Sequence, residues 1–136
     1  MDIRPVVPGF AAAPQLQPED MAAVAAQGFR TVICNRPDDE QPGQPDRASM
    51  EAAARAAGME YRFLPIAQGF PPAMIEGMRA ALDDCPGPVL AYCRSGTRST
   101  FLWALAEAGH RPAEEIVAAA AGAGYDLAPI RGALGG

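Results

Sequence analysis

The chain has 136 residues, 49% hydrophobic and 20% charged, which is the composition of an ordinary globular domain rather than of a disordered or fibrous chain. A net charge of −5 argues against a nucleic-acid binder, which would present a basic face, yet leaves a local basic cluster free to hold a small anion. Three cysteines without zinc-type spacing and a single histidine, His110, speak against a disulfide framework, a metal site and a Ser-His-Asp triad, so neither metal nor cofactor is expected.

No basic segment followed by an apolar stretch opens the sequence, and no run approaches the roughly 20 apolar residues of a membrane span. The expectation is a cytoplasmic protein with free thiols, folded as one domain over 1–136. In chain order, residues 10–13 (Phe-Ala-Ala-Ala) suggest a first strand. Pro18, Glu19 and Asp20 then open a helix that closes at Gly28. Thr31, Val32 and Ile33 form the β-branched heart of a strand over 30–34. Residues 37–45 are polar and rich in Pro and Gly, and read as a mobile loop. A helix over 46–57 ends at Gly58, and a strand follows over 60–64. After a loop over 65–72, the spacing of Met74, Ile75, Met78 and Leu82 predicts a helix over 73–83, with these side chains in the core. Residues 88–92 form a short apolar strand that runs directly into Cys93. Helices over 99–108 and 112–121, and a short one over 126–134, complete the chain. Strands alternating with helices point to an α/β domain with a mainly parallel central sheet flanked by helices.

The order strand, cysteine, small polar loop and helix has a chemical consequence at Cys93-Arg94-Ser95-Gly96-Thr97-Arg98-Ser99. Successive loop amides and the positive end of the following helix converge on one point, and Arg98 adds a planar fork of donors. These favour a thiolate at Cys93 and an anion beside it. Cys93 is therefore read as the nucleophile, with Arg98 as anion clamp and Ser99 placed to hydrogen-bond the thiolate. Arg94, Ser95, Gly96 and Thr97 are read as the anion-binding loop. Arg36, at the end of a strand that flanks Cys93, is a candidate substrate contact or one half of a surface ion pair. Cys34 is a candidate resolving thiol, though buried packing suits it better, and Cys85 reads as structural.

The loop is similar in outline to those of cysteine phosphatases and rhodaneses. Together with Ile33-Cys34-Asn35-Arg36-Pro37-Asp38, Gly43-Gln44-Pro45, Leu64-Pro65 and Gly87-Pro88-Val89-Leu90-Ala91-Tyr92, it resembles the beta-lactamase-hydrolase-like family. That resemblance implies a fold similar to dual-specificity phosphatases, with Cys93 as nucleophile and Arg98 as clamp. Two departures from the phosphatase pattern stand out. Only four residues separate Cys93 from Arg98, which is the spacing of a rhodanese-type loop, whereas phosphatases use five. The loop after the third predicted strand, 65–70, carries no carboxylate to serve as general acid. Asp38, Asp39 or Glu40 could reach in from the neighbouring loop, but such residues usually face solvent.

These departures place sulfur transfer first: Cys93 would take sulfane sulfur as a persulfide and hand it to a thiol acceptor. Phosphomonoester hydrolysis through a phosphocysteine is the alternative. A non-catalytic anion-binding regulatory module is the third reading. The expected partners are a small anionic substrate, either a sulfane sulfur donor or a phosphoester, and a thiol. No nucleic acid or membrane is expected, and the sequence assigns no oligomeric state.

Overall fold

The computed structural model describes residues 1–135, and its sheet contains the four predicted strands plus one more. β1 (Arg4–Val7) and β2 (Phe10–Ala13) form an antiparallel hairpin turned by Gly9, whose φ of 93° needs a residue without a Cβ. β3 (Thr31–Cys34), β4 (Glu60–Phe63) and β5 (Val89–Tyr92) join β2 in parallel, giving the order β1-β2-β5-β3-β4. β5 is central, with β2 and β3 on either side.

The strands of the middle are buried at every position because both faces of the sheet are covered. On one face lie α1 (Met21–Ala26) and α2 (Arg47–Ala56), packed through Met21, Val24, Met50 and Ala54 onto Val32, Leu90 and Tyr92. On the other lie α3 (Pro72–Asp84), α4 (Thr97–Glu107) and α5 (Ala113–Gly122). There Met78, Leu102, Trp103 and Ile116 bury Ile33, Val89 and Ala91. Trp103 stacks on Phe10 at 5.5 Å between ring centroids, which ties α4 to β2. The Met stripe of α3 is core on its buried side, as expected from its spacing.

The helices lie close to their expected ranges, with two local differences. The first begins as a 3-10 turn, Pro18–Asp20, before α1. The last, Ala128–Ala133, is a 3-10 helix throughout. α4 starts at Thr97, so Arg98 belongs to its first turn. Parallel pairing aligns the carboxyl ends of β2, β5 and β3, since Ala13 and Cys34 both pair with Tyr92. Cys93 therefore emerges at the centre of that edge, where open α/β sheets bind ligands.

Candidate active site

Cys93 still follows the sheet: its N–H points to the Ala13 carbonyl at 3.4 Å, and Gln15 N–H donates to Arg94 O at 3.2 Å. The chain then turns through Gly96, whose φ is 91°, and enters α4. Gly96 is the residue before the helix, and its carbonyl accepts both the N–H and the hydroxyl of Thr100. The Gly96 N–H donates to Cys93 Sγ at 3.1 Å, so a loop amide faces the sulfur. Cys93 is fully buried, while Arg94 and Ser95 are exposed at the lip. Ser95 Oγ donates to Thr97 Oγ1 at 2.9 Å. Ser99 Oγ is buried without a hydrogen-bond partner, so the bond from Ser99 to the Cys93 sulfur expected from its position is not made. The amide of Gly96 donates to the sulfur instead.

Arg98 is held from two directions. Its Nη1 donates to the Ile66 carbonyl at 2.7 Å and to Glu40 Oε2 at 2.8 Å, and its Nη2 donates to Glu40 Oε1 at 2.9 Å. The guanidinium interacts electrostatically with Cys93 as well, and its proton is held more firmly than usual, chiefly by Glu40. The planar fork thus meets the carboxylate in the two-point geometry that suits it.

Glu40 also accepts from Arg36 Nε at 2.9 Å. The reading of residues 38–40 as a solvated acidic loop is therefore incorrect for Glu40: its side chain is only 29% exposed and bridges two arginines. The Arg98 and Arg36 guanidiniums hold its carboxyl below the usual carboxylate range, against the opposing effect of partial burial. Asp38 and Asp39 remain at the surface, with Asp38 Oδ1 accepting from Arg47 N–H.

Arg36 forms an ion pair, with Glu40, but from a buried position rather than at the surface. It is 3% exposed, and its three nitrogens donate to Glu40, Gln15 and Gln41. It reaches the Cys93 loop through Glu40 rather than by its own contact. The 37–45 segment, expected to be a mobile loop, is cross-tied: Gln44 Nε2 donates to Pro37 O, and Gln44 Oε1 accepts from Glu40 N–H. Sequence patterning had no way to report these ties, because the partners are side-chain amides inside a polar stretch.

Cys34 faces away from the loop. It pairs with Tyr92, both side chains lie in the α1/α2 core, and its thiol donates to Arg36 O at 3.3 Å. Burial pushes the Cys34 thiol up, and a strand's two-residue alternation turns Cys93 to the opposite side. Cys34 is thus packed as a core residue, with the Tyr61 and Tyr92 hydroxyls hydrogen-bonded to each other 2.9 Å apart beside it. Among the described residues, no three His, Cys, Asp or Glu side chains converge on a point that could hold a metal ion. A surface groove of about 510 Å³ lies between α3 and the carboxyl end of α4, and no residue of the Cys93 loop lines it.

A mostly parallel five-stranded sheet with helices on both faces, and a cysteine loop between the central strand and a helix that carries arginine, define the fold of the cysteine phosphatases. A candidate phosphatase from Neisseria meningitidis superposes with a TM-score of 0.86 at 34% identity, over 98% of this chain and 96% of that one. PTPMT1, at 14% identity, shares the fold with a TM-score of 0.71 over 97% of this chain and 90% of its own. The chain belongs to the family of the beta-lactamase hydrolase-like protein, phosphatase-like domain, whose model matches residues 2–110. A relative from Agrobacterium fabrum, named beta-lactamase hydrolase-like protein, is 41% identical over 90 residues, which is 65% of this chain and 21% of that protein. The chain spans a fifth to a quarter of the length of the curated relatives it matches. No described helix is long and apolar enough to cross a membrane.

Proposed function

We propose that this domain hydrolyses phosphomonoesters through a phosphocysteine on Cys93. The observation that carries the reading is the Gly96 amide donated to the Cys93 sulfur at the carboxyl end of the central strand, with Arg98 in the first turn of the helix that follows. The similarity to the Neisseria structure along nearly the whole chain supports it. The Cys93 thiolate attacks phosphorus, the P–O bond to the leaving group breaks, and the loop amides and Arg98 hold the equatorial oxygens. Water then attacks the phosphocysteine and releases inorganic phosphate. Arg94, Ser95 and Thr97 form the mouth of the loop, and Glu40 and Arg36 act as positioning residues for Arg98.

The site also narrows the substrate. In the loops after β3 and β4, no carboxylate is held at the Cys93 sulfur: Glu40 is paired with two arginines, Asp38 accepts from the Arg47 amide, Asp39 is exposed at the surface, and residues 65–70 contain none. A leaving group that departs without a proton is therefore favoured, such as an aryl oxide or another phosphate. Cys93 is fully buried, so an anion reaches the sulfur only when the side chains over it give way.

Sulfane sulfur transfer through a Cys93 persulfide is the second reading, favoured by the four-residue spacing from Cys93 to Arg98 and by the same lack of a placed acid. The matched family domain is phosphatase-like and the Neisseria structure is that of a candidate phosphatase, so it stands second. One paired assay separates the two: aryl-phosphate hydrolysis and thiosulfate-dependent thiocyanate formation by wild type and Cys93→Ser. Phosphate release lost in the variant supports hydrolysis. Thiocyanate without phosphate release overturns it in favour of sulfur transfer, and either activity surviving in Cys93→Ser removes Cys93 as the nucleophile.

A further inference from the structure

The Ser95–Gly96 peptide carries two hydrogen bonds that point in opposite directions. On one side the Ser95 carbonyl accepts from the Tyr125 hydroxyl at 3.1 Å; on the other the Gly96 N–H donates to Cys93 Sγ at 3.1 Å. The peptide is trans, and in a planar trans peptide the C=O and N–H are fixed antiparallel. Whatever orients the carbonyl therefore orients the amide. From this geometry we infer that Tyr125 is a positioning residue, and that its hydroxyl sets the Gly96 amide against the nucleophile.

The restraint is needed because of the glycine. Gly96 accepts φ of either sign at little cost, so the peptide could rotate through half a turn about its flanking bonds. That rotation would exchange the N–H facing the sulfur for the Ser95 carbonyl oxygen, which repels a thiolate. Tyr125 opposes it and is itself well braced. It is 6% exposed, its N–H donates to Ala120 O at 2.9 Å, and the Arg4 guanidinium lies over its ring at 5.3 Å from the centroid. The fit is close enough that a Cβ on Gly96 would collide with the Tyr125 hydroxyl. Burial pushes the Tyr125 hydroxyl's proton loss upward, with Arg4 opposing, so the group remains a donor at neutral pH.

Tyr125 lies thirty positions from Ser95 and beyond the residues that the family model matches. The N-terminal strand, through Arg4, and the segment after α5 thus reach the nucleophile through one peptide plane.

This inference rests on Cys93 being the nucleophile, and its test uses readouts independent of substrate. Tyr125→Phe keeps the ring and removes the hydroxyl. The alkylation rate of Cys93 by iodoacetamide would be followed against pH in wild type and variant, together with the Gly96 amide proton by NMR and the thermal midpoint. The expected result is a folded variant whose alkylation profile is displaced to higher pH, with a rate at neutral pH about tenfold lower. The Gly96 amide should respond to Cys93 deprotonation in wild type and much less in Tyr125→Phe. Superimposable alkylation profiles in the two proteins would overturn the inference. If Tyr125→Phe does not fold, a wild-type Gly96 amide that ignores Cys93 deprotonation overturns it alone. Activity retained by Cys93→Ser would instead remove the functional reading and leave these measurements standing.

Discussion

Replacing Glu40 with Gln isolates the charge that binds Arg98 and Arg36 together. Glu40 makes three charge-assisted hydrogen bonds, two to Arg98 and one to Arg36, at 2.8–2.9 Å. Gln keeps the shape and one acceptor oxygen, so the bidentate contact becomes a single neutral one. The side chains of Glu40 and Arg98 are 29% and 22% exposed, which places the pair between a surface bridge and a buried one. A loss of about 1–2 kcal/mol in stability is expected, or a fall of about 3–8 °C in thermal midpoint for a domain of this size. Arg98 would sample several rotamers instead of one, and affinity for vanadate or phosphate should fall about tenfold, as a cost near 1.4 kcal/mol implies. The pH dependence has a definite sign. The folded-state carboxyl of Glu40 lies below its ordinary value, so its stabilisation is complete above about pH 4.3 and is lost as pH falls through the lower folded value. The gap in thermal midpoint between wild type and Glu40→Gln should be constant from about pH 5 to 8 and close below about pH 4. Anion-binding titrations and melting curves over this range check both parts. Tighter anion binding by Glu40→Gln would refute the reasoning, because it would make Glu40 a competitor for Arg98 rather than its support.

Gly96→Ala should cost about 1–3 kcal/mol from the positive φ alone, with more from the collision with Tyr125, and should abolish activity; melting curves and aryl-phosphate turnover measure the two effects. Cys34→Ala should cost about 1 kcal/mol of packing yet leave turnover intact, since its side chain lies on the α1/α2 face of the sheet; a large loss of turnover in a folded variant would contradict that placement. Across a series of aryl phosphates, kcat/KM should rise steeply as the leaving group becomes more acidic, because Glu40 is paired with two arginines, Asp38 accepts from the Arg47 amide and Asp39 faces the surface, so none is held beside Cys93 to protonate it. A flat dependence would show that a proton donor does reach the leaving oxygen.

Much of this organisation is legible in the sequence, for reasons that differ from element to element. Val32-Ile33 and Val89-Leu90 are short apolar runs because both faces of the sheet are covered, and turn residues mark their ends. β1 is not legible: four residues containing Pro5 make only a short edge strand, and its antiparallel pairing with β2 depends on Gly9 and on tertiary context. The Cys93 loop is legible because its chemistry is local, with sulfur, amides and arginine inside seven residues. Its supports are not. Glu40 sits in a polar Pro/Gly stretch that resembles any solvated loop, and only folding brings it 2.8 Å from Arg98, fifty-eight positions away. Tyr125 carries no motif at all, and its contact with the loop arises where the chain after α5 meets Ser95 and Gly96 at the start of α4. The missing bond from Ser99 has the same origin, since α4 begins at Thr97 and fixes where the hydroxyl points.

The central claim is that the Cys93 sulfur itself takes the phosphoryl group. The most direct measurement is rapid acid quench of wild type during turnover of an aryl phosphate, followed by mass spectrometry of the peptide that contains Cys93. The expected result is a phosphoryl adduct on Cys93 that appears with a burst of the aryl alcohol and is absent from Cys93→Ser. Turnover at full rate with no adduct at any quench time, or with the adduct on another residue, would contradict it.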